Sequence, residues 1–452
     1  MKWEKAKGGF IGLVLLWGMP TAFGGIIEDA AQNIEQYRKG NAMVTLRTSE
    51  GNLLNGAQVT VNQTLHDFYF GNIIRPRHFP DATYKSRLKE MFNFVTSLEF
   101  NWGQYEPDEG QSLLAERMEM VDWCLANDIN LFGHMLVWTK KYGTYPKAGL
   151  PEWLWNYDRA TQYSLLENRV KREMRDFKGK LEIWDVINEP VNVRIWGDWE
   201  KANNYKDTID NIYPYVKDSL NWARSQNSQA ILMINEYNVI TNSRVRNRYK
   251  RLIQKLQDNN VPLDALGIQA HEPRYTWYSP SQLLTAYDEL GSFGLPLLIT
   301  EFTYSSDSTK DIKGGYRSGK WNQNLQAEAG EEFYRVTFGH PDVFGIIWFG
   351  MSDDDVWLSK GAVLDENWQP KKVWNMLKNL IHQEWHTAEA GMSTGSGTFS
   401  FHGFYGKYDV TVEIGGETFN YTAYLHKGQV NDWNFTVPVD AFPLAPPSLQ
   451  VK

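Results

Sequence analysis

The chain has 452 residues, enough for one large core and a smaller accessory unit, because single cores rarely grow far beyond about 300 residues. Its formal net charge is −8 at pH 7 and no stretch is strongly basic, which excludes electrostatic capture of nucleic acid and favours a neutral or mildly polar ligand. The 19 tryptophans exceed what core packing usually takes, and an indole offers a flat apolar face that suits stacking on a sugar ring.

Residues 1–25 run basic around Lys2, Lys5 and Lys7, apolar from Phe10 to Met19, then small from Ala22 to Gly25, the order of a signal peptide. The apolar run is too short for a permanent bilayer anchor. Export and cleavage are expected, leaving the protein secreted or periplasmic, with no permanent membrane span. Within 26–66, Val44–Thr48 and Gln58–Thr64 read as a β-hairpin around Gly51–Gly56.

From 67 to 385, short apolar runs alternate with amphipathic stretches. Eight strands are predicted: Asp67–Ile74, Asn93–Phe100, Leu131–Trp138, Leu181–Asn188, Ile231–Tyr237, Ala265–His271, Leu297–Phe302 and Phe344–Gly350. Helices lie between them, as in Glu167–Lys180, with Val170, Met174 and Phe177 on one face, and Ser279–Gly294, with Leu283, Leu284, Tyr287 and Leu290. Buried parallel strands alternating with helices, eight times over, predict an α/β fold, the (β/α)8 TIM barrel, with its chemistry at the C-terminal ends of the strands. The sole cysteine, Cys124, sits in a helical pattern as a small buried hydrophobe, so no intrachain disulfide forms. Residues 386–397, rich in Ser, Thr, Gly and Ala, read as a linker, and 398–452 as a small all-β module carrying runs such as Tyr408-Asp-Val-Thr-Val-Glu-Ile414. The N-terminal hairpin is expected to join this module in one sandwich. Its Tyr405, Tyr408, Tyr421 and Trp433 would form either a sugar-binding platform or the module's own core.

The polar residues fall at the predicted strand ends: Asn188 and Glu189, Glu236, His271 and Glu301. Glycosidic cleavage needs one carboxyl group to protonate the leaving oxygen and a second to meet the oxocarbenium-like carbon. Glu189 and Glu301, on the fourth and seventh strands, can face one another across a barrel mouth. Helix caps and surface charges are the bland alternative, weakened by the convergence of five such residues on one rim. No His-x-His follows the first strand and no Cys/His cluster has ligand spacing, so neither a metal nor another cofactor is expected.

Trp184-Asp-Val-Ile-Asn-Glu-Pro190 and Leu298-Ile-Thr-Glu-Phe302 resemble the acid/base and nucleophile motifs of glycoside hydrolase family 10, the barrel xylanases. Gly133-His-Met-Leu-Val-Trp138, Asn235-Glu-Tyr-Asn238, Gly267-Ile-Gln-Ala-His271 and the region Trp348 to Trp357 resemble further motifs of that family, in the right order. The resemblance implies a retaining endo-β-1,4-glycanase acting on xylan or a related polysaccharide. Glu189 would be its general acid/base and Glu301 its nucleophile. Asn188 would bind the substrate 2-hydroxyl, Gln269 and His271 would orient Glu301, and Trp348 and Trp357 would roof the cleavage subsite. His134, Trp138 and Tyr237 would join the binding surface.

The match fails after the second strand. Family members usually carry a Glu-Asn-x-Met-Lys-Trp segment that grips the sugar on the non-reducing side, and here, with the register fixed on Trp102 and Glu106-Pro107, the gripping positions are Ser97, Leu98 and Asn101; a shifted register puts Glu99 in the first role but shortens the loop and supplies no lysine. Substrate identity and endo or exo mode are therefore left open, as is the oligomeric state. The competing reading is a sugar-binding protein on a barrel that has lost catalysis, against which stands the presence of both glutamates.

Overall fold

A computed structural model describes residues 24–140, 149–192, 208–271 and 274–438. The expected signal peptide, apart from its last two residues, and the end of the C-terminal module lie outside the described residues.

The described residues open with a helix, Gly24–Arg38, ahead of the expected hairpin and not foreseen in the sequence. Its Ala30 and Ile34 are buried. A Cβ on Gly339 would lie 2.8 Å from the Ala30 carbonyl oxygen, so glycine is what lets this helix sit close to Gln323–Gly339. Arg38 ends the helix and donates to the carbonyls of Phe338, His340 and Val343, pinning it beneath the barrel.

Next come β1 (Lys39–Thr48) and β2 (Gln58–His66). They do not pair with each other, which corrects the hairpin expectation. Eight strands then form a closed barrel: β3 (Tyr69–Ile73), β4 (Phe94–Ser97), β5 (Asn130–Val137), β6 (Ile183–Asn188), β7 (Ile231–Glu236), β8 (Ala265–Ile268), β9 (Leu297–Phe302) and β10 (Val343–Trp348). All neighbours are parallel and β10 closes on β3. The (β/α)8 barrel is therefore the fold. Its strands are buried on both faces because helices cover the outside and side chains fill the inside. Phe94, Phe132, Ile183, Met233, Ala265, Leu298 and Ile347, with Tyr69 stacked on Phe94, form an inner cluster that plugs the base.

The helices sit where apolar spacing put them. Arg159–Asp176 buries Leu166, Val170 and Met174, and Asp158 caps its start by accepting from the Thr161 amide at 2.9 Å. Pro280–Gly291 starts with a reciprocal capping box between Ser279 and Gln282, and buries Leu283, Tyr287 and Leu290. Cys124 is a buried free thiol in Leu114–Ala126.

After the barrel come β11 (Ala388–Met392), β12 (Thr398–Phe404), β13 (Gly406–Ile414), β14 (Glu417–Leu425) and β15 (Asp432–Val437). One sheet has the order β12-β1-β15 and the other β11-β2-β13-β14. The alternating apolar residues of β1 (Val44, Leu46) and β2 (Val59, Val61) face each other between these sheets with Tyr408, Val410 and Trp433, which explains why the two consecutive strands part company. The 386–397 stretch is likewise no free linker. It carries β11, paired antiparallel with β2, and Ser393 is buried, taking the Ala57 amide and donating to the Leu54 carbonyl. Its small residues serve close approach, since a Cβ on Gly391 would lie 2.7 Å from the Phe399 ring. Tyr408 and Trp433 are core; Tyr421 stacks on Phe435 at 4.4 Å and Tyr405 is half-buried.

Candidate active site

The polar side chains at the mouth of the barrel interlock across β5 to β9. Asn235, fully buried at the end of β7, is the hub. Its Nδ2 donates to Asn188 Oδ1 at 3.1 Å and to Glu301 Oε1 at 2.9 Å, while its Oδ1 accepts from Thr300 Oγ1 at 2.8 Å. The neighbouring position on β8 must be glycine, because a Cβ on Gly267 would lie 2.5 Å from Asn235 Oδ1. Gln269 extends the network, its Nε2 donating to Asn188 Oδ1 at 3.1 Å and Glu189 Oε1 at 3.2 Å. The two glutamates are thus tied together through three amide side chains.

Glu189 follows β6 with φ of 58°, a left-handed conformation that costs a non-glycine residue about 1–3 kcal/mol and persists only where neighbours enforce it. Here they do. Its amide donates to the Asn235 carbonyl at 2.7 Å, and Glu236, fully buried, accepts from the Val191 amide and Asn192 Nδ2 at 2.8 Å and from the Tyr237 amide at 2.9 Å. Trp138 Nε1 donates to Glu189 Oε2 at 2.9 Å.

Glu301 is buried and faces two imidazoles. His134 Nε2 lies 3.6 Å from Oε1 and His271 Nε2 lies 3.8 Å from Oε2. His134 Nδ1 is held 2.9 Å from Asp185 Oδ2. Burial pushes the Asp185 carboxyl well up and the His134 imidazole down. Burial also holds His271 down to about 3, leaving a neutral ring packed edge-on against Trp357 at 4.6 Å. Burial pushes Glu301 up to about 8 and Glu189 in the same direction, and the Glu189 charge raises Glu301 further. Charge on Glu189 thus disfavours a second charge on Glu301, which suits one acid and one carboxylate working together.

Most of the predicted site residues meet here, with two changes. Gln269 holds Glu301 by its backbone carbonyl, which takes the Glu301 amide at 3.1 Å, while its side chain serves Glu189. Trp348 is fully buried on the helix side of the barrel, its Nε1 donating to the Gly361 carbonyl and its ring against Phe302 and Gly330, so it cannot roof the site. Phe349, one residue on, faces His134 at 6.5 Å. The pairing of β10 with β9 is irregular between Val343 and Gly345 and again between Ile346 and Trp348, which leaves Phe344 and Ile347 inside the barrel and Trp348 outside it. Trp357 does line the mouth, with the Arg274 guanidinium over its outer side at 5.2 Å. Tyr237 is half-buried beside Glu236. Sequence reasoning missed Asn235 as the hub; an asparagine inside an apolar strand beside a strand glycine was its signal. Asn101 caps the short helix Trp102–Tyr105 and accepts from the Gly149 amide at 3.1 Å, so it is occupied structurally. Among the described residues, no group of three His, Cys, Asp or Glu side chains is placed to hold a metal ion, and no helix is long and apolar enough to cross a membrane.

The family model for glycosyl hydrolase family 10 matches residues 61–380. The chain is 29% identical over 406 residues to the anti-sigma-I factor RsgI6 of Acetivibrio thermocellus, covering 89% of this chain and 49% of that protein. It is 26% identical over 319 residues to endo-1,4-beta-xylanase B of Thermotoga neapolitana, covering 68% and 85%. The chain thus spans about half the length of the first of these curated relatives. Native xylanase 10B from Thermotoga maritima superposes with a TM-score of 0.57 at 23% identity, over 70% of this chain and 96% of that one, a likeness of fold. With its barrel, its strand-end glutamates and a family match over most of its length, the chain belongs to glycosyl hydrolase family 10.

Proposed function

We propose that the protein is an exported, retaining endo-β-glycanase that cleaves β-1,4-xylan or a related β-linked polysaccharide by double displacement. The observation that carries this reading is the continuous amide network from Glu301 through Asn235, Asn188 and Gln269 to Glu189. Glu301 attacks the anomeric carbon while Glu189 protonates the leaving oxygen; Glu189 then takes a proton from water, which releases the sugar with its configuration retained. Asn188 meets the sugar 2-hydroxyl, an interaction that tightens as the ring flattens. The relatives named as xylanases favour xylan, and the basic, apolar, small order of residues 1–25 supports export.

A polysaccharide panel with the anomer of the first product read by NMR tests the reading. Retained products from β-1,4-xylan, absent with Glu301→Ala, are expected. Inverted products or undiminished turnover in that variant would refute it. A second reading, a sugar-binding module that does not cut, takes its support from a relative matched over 89% of the chain being named an anti-sigma-I factor and not a xylanase; tight oligosaccharide binding without product would favour it.

A further inference from the structure

The family's gripping trio is absent from the loop after β4, and the side chains there have other work. Ser97 Oγ donates to Glu99 Oε2 at 2.7 Å, Leu98 packs against Met135 and Trp138, and Asn101 is a helix cap. Next to them lies a group of charges that the catalytic scheme leaves unused. Arg75, two residues beyond β3, donates from Nη1 to Glu99 Oε1 at 3.0 Å and holds Nε 3.3 Å from Asp355 Oδ2. Asp355 also takes Arg77 and lies 3.2 Å from His78 Nε2. The side chains of Arg75, Glu99 and Asp355 are 13%, 16% and 10% exposed, enough to be touched from the mouth while staying fixed by one another.

The place of this group gives it a role. In the ring of eight strands β10 stands opposite β6, and β3 and β4 follow β10. Glu189, at the end of β6, protonates the departing half of the substrate, so the far side of the mouth meets the half that stays bound. Asp355 lies two residues from Trp357, and the charges of Arg75 and Glu99 act on His134 beside Glu301. Fixed guanidinium and carboxylate groups side by side present alternating donors and acceptors, which match vicinal hydroxyls of a neutral sugar. The two guanidiniums, of Arg75 and Arg77, are matched by the two carboxylates, which leaves no surplus positive charge to draw an acidic sugar.

We infer that Arg75, Glu99 and Asp355 form the binding site for the neutral sugar unit immediately beyond the one attacked by Glu301, in place of the missing trio. This rests on the proposed glycanase reading for the direction of the substrate.

Aryl β-xylosides carrying one or two xylose units separate the roles. In Glu99→Gln and Asp355→Asn, the ratio of kcat/KM for the two-unit over the one-unit substrate should fall about tenfold or more, the scale of a lost charge-assisted hydrogen bond. Equal losses on both substrates would show a merely structural ion-pair cluster, and an unchanged ratio would show no contact; either overturns the inference. Calorimetric titration with β-1,4-xylotriose keeps the test independent of turnover. If the wild type cleaves neither glycoside, the glycanase reading fails, and an unweakened affinity in both variants would sink the subsite as well, whereas a tenfold weaker one upholds it.

Discussion

Replacing Asn235 with alanine removes the hub of the site without touching either glutamate. Three hydrogen bonds are lost: Nδ2 to Glu301, Nδ2 to Asn188, and the one Asn235 Oδ1 receives from Thr300. The bond to a charged acceptor is worth about 1.5–3 kcal/mol and each neutral one about 1 kcal/mol, and the buried Thr300 hydroxyl is left without its acceptor. Stability should fall by about 4 kcal/mol, read from denaturant unfolding. The catalytic effect comes from the first bond alone. Without its donor the Glu301 carboxylate is harder to form, and its carboxyl, already pushed up to about 8 by burial, moves higher. kcat/KM on an aryl β-glycoside should therefore drop by a factor of roughly ten to a hundred, with the acid limb of the pH profile displaced upward. Thr300→Val is the control: it removes only the contact to Asn235 Oδ1, and should lower stability with a much smaller loss of rate. A well-folded Asn235→Ala protein with kcat/KM within twofold of wild type would refute the reasoning.

Because the folded-state pKa of Glu301 lies above its unfolded value of 4.5, its contribution to stability is complete below 4.5 and is lost as the pH rises towards about 8. Glu236, raised by burial to about 8, acts in the same sense. The melting temperature should therefore decline across this range, and Glu301→Gln should raise it at pH 8 while abolishing turnover; a variant no more stable than wild type at pH 8 would contradict the argument. Turnover should fall as the pH drops below about 8, where the Glu301 nucleophile takes up its proton, and a rate unchanged between about pH 8 and pH 6 would count against that assignment. Trp138→Phe deletes the donor to Glu189 Oε2, which should raise the Glu189 pKa, move the basic limb upward and lower kcat; an unmoved limb would show that the indole only packs. Trp348→Ala, in the helix layer, should cost about 3–5 kcal/mol of stability, while Phe349→Ala should chiefly weaken turnover, and the reverse pattern would return Trp348 to the site.

The strands and both glutamates were legible because each depends on a few adjacent residues. An apolar run repeated eight times describes a closed sheet, and the polar residues at the ends of four of those runs mark the rim where its chemistry sits. What the sequence hid depends on partners far along the chain. β1 and β2 follow one another with a turn-like stretch between them, yet their ladders come from β12, β15, β11 and β13, and residue order alone cannot tell a hairpin from two strands claimed by opposite sheets. Trp348 was assigned to the roof by resemblance alone, and the pairing of β10 with β9, irregular at two points, turns it outward instead. The site shows the same division. Polar residues at strand ends could be read one by one, but the arrangement that joins the glutamates runs through contacts 47, 66, 80 and 81 residues apart. Closing the barrel creates those contacts, and the glycine at 267 is the trace they leave in the sequence, because a β-strand that buries an asparagine amide beside its neighbour must leave room for it.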